Sequence, residues 1–88
     1  MAGLTVSVVS ADREIWSGAA TQVVAKTLIG EMGVLRGHEP VLALLAEGGE
    51  VRVTTEDGEK ITVSADGGFF SVDHDVVTIV ASQAQIVE

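Results

Sequence analysis

Short alternations of apolar and polar residues, with a period of two, run through most of the chain. Leu4-Thr5-Val6-Ser7-Val8 is the first. Val51-Arg52-Val53-Thr54-Thr55 and Ile61-Thr62-Val63-Ser64-Ala65 repeat the pattern. A period of two puts every second side chain on one face, so each segment predicts a strand buried on one side. Residues 21–27 predict a further strand, its buried face left open, and residues 32–35 a short apolar one. Val76-Val77-Thr78-Ile79-Val80-Ala81 is apolar almost without interruption, which predicts burial on both faces. Only residues 41–47 admit a helical reading. So few residues do not hold a helix alone, and a short strand fits equally well. Turn residues recur at short intervals: Ser17-Gly18, Gly30 to Gly37, Gly48-Gly49, Asp57-Gly58, Gly67-Gly68 and Asp73-His74-Asp75. Many short strands so punctuated predict an all-β sandwich or barrel, a single domain over 1–88.

The Asp57-Gly58 turn permits a register prediction. A two-residue loop would set Val53 opposite Thr62 and mix the apolar face with the polar one. A three-residue loop, Glu56-Asp57-Gly58, pairs Thr55 with Glu59, Val53 with Ile61 and Val51 with Val63. All the apolar side chains then share one face, with Gly58 left-handed in a type I turn with a G1 bulge.

Composition narrows the function classes. The chain has 88 residues, and such a small domain has a thin core that rarely encloses a deep catalytic pocket. Thirteen acids against five bases give a net charge of −8, which argues against nucleic acid and against an anionic membrane surface. Cysteine is absent, so no disulfide or thiolate chemistry is available. The longest strictly apolar run, residues 41–46, is far shorter than the ~20 residues of a spanning helix, and nothing resembles a secretory signal, so a soluble chain is expected.

The search for catalytic motifs finds no G-x-S-x-G, no phosphate loop and no H-E-x-x-H. Asp73-His74-Asp75 offers three metal-ligand types. Adjacent strand residues point to opposite faces, so a solvated hairpin loop is the preferred reading, and no metal or cofactor is expected. Trp16 fits a core or edge-covering role, or an interface. Phe69 and Phe70 are neighbours. One should fill the core, and the other either joins the opposite layer or stands exposed for docking.

The segment Gly30-Glu31-Met32-Gly33-Val34-Leu35-Arg36-Gly37-His38-Glu39-Pro40 surrounds a short apolar strand with three glycines and a proline. Glu31 and Glu39 would repel phosphate. The segment reads either as an ornate turn or as a rigid surface loop presenting Glu31, Arg36 and His38 to a partner. Gly30-Glu31-x-Gly33-Val34-Leu35-x-Gly37-His38-x-Pro40 resembles the G-E-[ILM]-G-[IV]-L-P-G-H-x-P signature of the epsilon subunit of bacterial F-type ATP synthase (delta in mitochondria). The opening Leu4-Thr5-Val6-Ser7-Val8-Val9-Ser10-Ala11-Asp12-Arg13 with Trp16-Ser17-Gly18, then Gly67-Gly68-Phe69-Phe70-Ser71-Val72 and residues 77–81, extend the resemblance over nearly the whole chain. It departs at Arg36, where the family has proline, and after Ala81, where only seven residues remain in place of the family's helical hairpin.

The resemblance implies a flattened sandwich of two antiparallel sheets with about ten short strands. It implies a rotor subunit at the foot of the central stalk, without chemistry of its own. It would link the gamma subunit to the c-ring, belong with the catalytic headpiece to one complex, and lie peripherally on the cytoplasmic face of the bacterial plasma membrane. A monomer is expected in isolation. Carried over, Glu31, with Gly30 and Gly33 shaping its turn, would face the c-ring, and His38 would lie near gamma. Arg36, between them, is a candidate contact, while His38 can equally pin its own loop by a hydrogen bond. Lacking the hairpin, the 88-residue form is expected neither to bind ATP nor to inhibit hydrolysis. The alternatives are a biotinyl or lipoyl carrier domain, which would need Lys26 or Lys60 at an exposed tip, and a small β-sandwich enzyme.

Overall fold

The computed structural model describes residues 3–10 and 13–87; Ala11 and Asp12 of the opening segment lie outside the described residues. The elements are β1 (Leu4–Ser10), β2 (Arg13–Thr27), β3 (Gly30–Leu35), β4 (Val41–Leu44), β5 (Gly49–Thr55), β6 (Lys60–Asp73) and β7 (Val76–Val87). Residues 41–44 form a strand, and the described residues contain no helix.

The described residues form seven strands where about ten short ones were expected, because three of them serve both layers of the sandwich. The first half of β2 pairs with β1, and its second half lies between β5 and β3. The first half of β6 pairs with β5 and the end of β7; its second half pairs with β4 and the start of β7. The layers therefore run β3-β2-β5-β6-β7 and β2-β1-β7-β6-β4, five segments each. One pairing departs from the antiparallel expectation: β1 and β7 run parallel, Thr5 beside Val76 through Val9 beside Val80.

Two of these long strands, β6 and β2, change the phase of their buried positions where they cross. In β6 the core positions are Val63 and Ala65 before Gly67, then Phe70 and Val72 after it. Gly67 has φ +68° and, like Ser82 across from it on β7, has no partner in the ladder, while the register on either side is unchanged; this left-handed residue marks where the second half's apolar face turns back toward the core. A Cβ on the next residue, Gly68, would collide with the Val80 carbonyl, so the double glycine lets β6 and β7 approach at the crossing. β2 shifts register between Ala20 and Gln22, and its buried positions move from Ala20 to Val23 and Ala25.

The core is one cluster built from both layers, including Val6, Val8, Val23, Val51, Val53, Val63, Phe70, Val77 and Ile79. The β5–β6 hairpin takes the three-residue register. Val51 pairs with Val63 and Val53 with Ile61, the Thr55 amide donates to the Glu59 carbonyl, and Gly58 has φ +86°. β7 differs from its sequence reading. Val77, Ile79 and Ala81 are buried, while Val76 is exposed and Val80 half-buried, so it buries one face only. Trp16 is half-buried on β2 and packs against the core, its ring lying over Gly18.

Candidate functional site

Five apolar side chains are left uncovered at one end of the sandwich. Thr27 is buried; its hydroxyl donates to the Gly30 carbonyl at 2.7 Å and accepts from the Ile29 amide. This fixes a tight β2–β3 turn that holds Leu28 and Ile29 outward, 65% and 87% exposed. The Leu28 amide donates to the Leu44 carbonyl, bringing the turn beside the end of β4. Alternation along β4 aims Leu42 and Leu44 away from the core, and Leu44 stands opposite Phe69 on β6. Leu28, Ile29, Leu42, Leu44 and Phe69 line two adjoining shallow grooves. Phe70 fills the core and Phe69, 37% exposed, stands outside. The alternation around residue 42 is too short to read from the sequence, so Leu42 and Leu44 were not singled out there.

Glu31 adjoins this end on the outer face of β3, where it stands opposite Lys26 on β2. Its Oε2 accepts from Arg52 Nη2 at 2.8 Å, across two strand boundaries. Lys26, Glu31, Glu50 and Arg52 line one open cleft of about 350 Å³, so cations and anions balance there although the whole chain carries −8. Arg52 was read only as the polar position of a strand. No local pattern links it to Glu31, since the contact depends on which strands become neighbours.

The glycine-rich segment is a strand followed by a turn: the short strand expected at residues 32–35 begins earlier, at Gly30, so Glu31 lies in the strand and not in a loop. Gly30 (φ +124°) and Gly37 (φ +84°) take turn conformations at its two ends, while Gly33 lies within β3. Glu31 and Leu35 are therefore four strand residues apart, about 13 Å, so Glu31 is not brought together with Arg36 and His38. Beyond β3 the His38 amide donates to the Leu35 carbonyl, and the Gly37 amide donates to Asp75 Oδ1 at 2.7 Å. The half-buried His38 has Nδ1 2.7 Å from the Glu39 carbonyl, so the tautomer protonated there pins its own loop and leaves Nε2 for another partner. Arg36 is exposed and makes no ion pair among the described residues.

Within Asp73-His74-Asp75, His74 and Asp75 form a two-residue hairpin turn. Asp73 pairs with Val76, and His74 and Asp75 have φ of 51° and 64°. His74 is paired with Asp73 at 2.7 Å, and the described residues contain no cluster of three or more His or acidic groups placed to hold a metal. Lys26 and Lys60, the candidate carrier lysines, both lie within strands. What the surface offers is an apolar end, a balanced row of charges and a tethered loop, which are the materials of a protein interface.

Residues 3–87 match the family described as the ATP synthase, Delta/Epsilon chain, beta-sandwich domain. The ATP synthase epsilon chain of Micrococcus luteus is 56% identical over 86 residues, 98% of this chain and 93% of that one. That of Rhodococcus opacus is 52% identical over 88 residues, 72% of its own length. A chain in the structure of the Euglena gracilis mitochondrial ATP synthase, OSCP/F1/c-ring, superposes with a TM-score of 0.90 at 32% identity, over 98% of this chain. This chain spans about half of that one, 54%. The Tetrahymena thermophila mitochondrial ATP synthase central stalk/c-ring structure contains a chain of the same fold, with a TM-score of 0.71 at 18% identity, 92% of this chain and 64% of that one being covered.

Proposed function

Because the chain belongs to the ATP synthase delta/epsilon chain β-sandwich family, we propose that it is a rotor subunit of a proton-translocating F-type ATP synthase, linking the gamma subunit to the c-ring. It carries no chemistry of its own. Its task is mechanical, so that stalk and ring turn together and proton flow drives synthesis in the catalytic headpiece of the same complex. The chain associates with an energy-transducing membrane through that complex, on the cytoplasmic face of the bacterial plasma membrane. No helix among the described residues is long and apolar enough to cross a membrane. In isolation it is a monomer.

The observation that carries this reading is the apolar end formed by Leu28, Ile29, Leu42, Leu44 and Phe69 on an otherwise acidic protein. A contiguous apolar surface on a small monomer marks a contact with another protein. Glu31, with Gly30 and Gly33, extends the contact toward the c-ring, His38 extends it toward gamma, and Arg36, between them, contacts an acidic or polar loop. The test uses a synthase complex stripped of this subunit. Wild-type chain is expected to bind and to restore ATP-driven proton pumping. Leu42→Glu with Leu44→Glu is expected to leave the melting temperature nearly unchanged, since both side chains are already exposed, and to abolish binding. Glu31→Ala should likewise barely move the melting temperature, because its ion pair is exposed and such pairs contribute about 0.2–1 kcal/mol, yet weaken coupling. A wild-type chain that does not bind the stripped complex would refute the proposal.

A further inference from the structure

Gly33 is a glycine the isolated fold does not need. Gly30 and Gly37 hold positive φ, and Gly68 has no room for a Cβ. Gly33 has neither constraint: it lies in the interior of β3, and a Cβ built on it meets nothing within 4 Å among the described residues. Glycine weakens a strand through backbone entropy and the loss of a side chain to pack, so an unconstrained one in a strand interior stands against the stability of the subunit alone. Its surroundings on the outer face are specific. Gly33 shares a cross-strand row with Val24 and Arg52, the Arg52–Glu31 ion pair borders it toward the β2–β3 turn, and Leu35, 59% exposed, borders it on the other side. β3 is also the edge strand of its layer.

We propose that Gly33 is a point of backbone approach, where an extended segment of the rotor lies flat on β3. The inference rests on the proposed function and deepens it. The segment places a backbone unit or a small apolar side chain directly over Gly33, packs apolar atoms against Leu35, and offers a hydrogen-bond donor to the carboxylate of Glu31, the partner that balances an acidic chain. This face is continuous, through Gly30, with the apolar end at Leu28 and Ile29. Any side chain at position 33 would hold the two backbones apart, so the glycine is retained for the assembly.

The experiment compares wild type, Gly33→Ala, Gly33→Val and Gly30→Ala by thermal unfolding of the isolated chain and by affinity for the stripped complex. Gly33→Ala and Gly33→Val are expected to melt at or above the wild-type temperature, valine being well suited to a strand. Gly33→Ala should weaken binding about tenfold and Gly33→Val more, as overpacking does at a close contact. Gly30→Ala should instead lower the melting temperature. Wild-type affinity for Gly33→Ala would overturn the inference while leaving the proposed function standing. A clear drop in its melting temperature would also overturn it, by showing that the fold itself requires the glycine. Sedimentation supplies a further arm: concentration-dependent dimers of wild type that Gly33→Val disrupts would assign the face to a second copy and overturn the rotor segment. Failure of wild type to bind the complex would remove both readings.

Discussion

Gly58 and Asp75 each sit in a left-handed backbone region, and they are held there differently. Gly58 has φ +86° with open space around it, so only the backbone conformation selects glycine. Gly58→Val is expected to destabilise the chain by about 1–2 kcal/mol, measured by denaturant unfolding, because a β-branched side chain resists positive φ. Asp75 takes φ 64° with a side chain, and that side chain has work to do: its carboxylate accepts from the Gly37 amide, and its carbonyl accepts from Thr5. Asparagine keeps an acceptor and tolerates the left-handed region, whereas alanine loses both advantages. Asp75→Ala should cost about 1–2 kcal/mol and speed hydrogen exchange at Gly37, while Asp75→Asn stays near wild type in both measurements.

The β5–β6 hairpin shows how far alternation alone can reach. Placing Val51, Val53, Ile61 and Val63 on one face demanded a three-residue loop, and the ladder has that register. Val63→Ala, at a fully buried site, should cost about 2 kcal/mol, and Thr62→Ala on the opposite face less than about 0.5 kcal/mol. The long strands were harder to read. β6 has one continuous ladder with β7 across Gly67, but its apolar phase flips there, so a period-two reading breaks it into two pieces. The residue count per face was legible and the continuity was not, because a ladder that keeps its register past Gly67 leaves no mark in side-chain polarity. The candidate site divides in the same way. Gly30, Glu31 and His38 stood out through local composition, whereas Arg52 as the partner of Glu31, and Leu42 and Leu44 as part of an apolar end, depend on strand neighbours 20 or more positions apart in sequence.

The strands close on one another in a cycle, β1-β7-β6-β5-β2 and back to β1, with β3 and β4 attached outside it. The cycle is completed by the parallel pairing of the first and last strands, and this has a mechanical consequence. Tension applied at the two chain ends pulls β1 and β7 in opposite senses along their common axis. The five rungs from Thr5–Val76 to Val9–Val80 then bear the load side by side, in shear, and must fail together. Tension applied at Gly49 and Ala65, a paired position at the end of the β5–β6 ladder, opens that ladder one rung at a time. Single-molecule extension from the termini should therefore need a markedly higher rupture force than extension from Gly49 and Ala65, forced rupture being set by the unfolding barrier of the path chosen. Closing the cycle between its own ends makes the protein a latch that is stiffest along the line joining them.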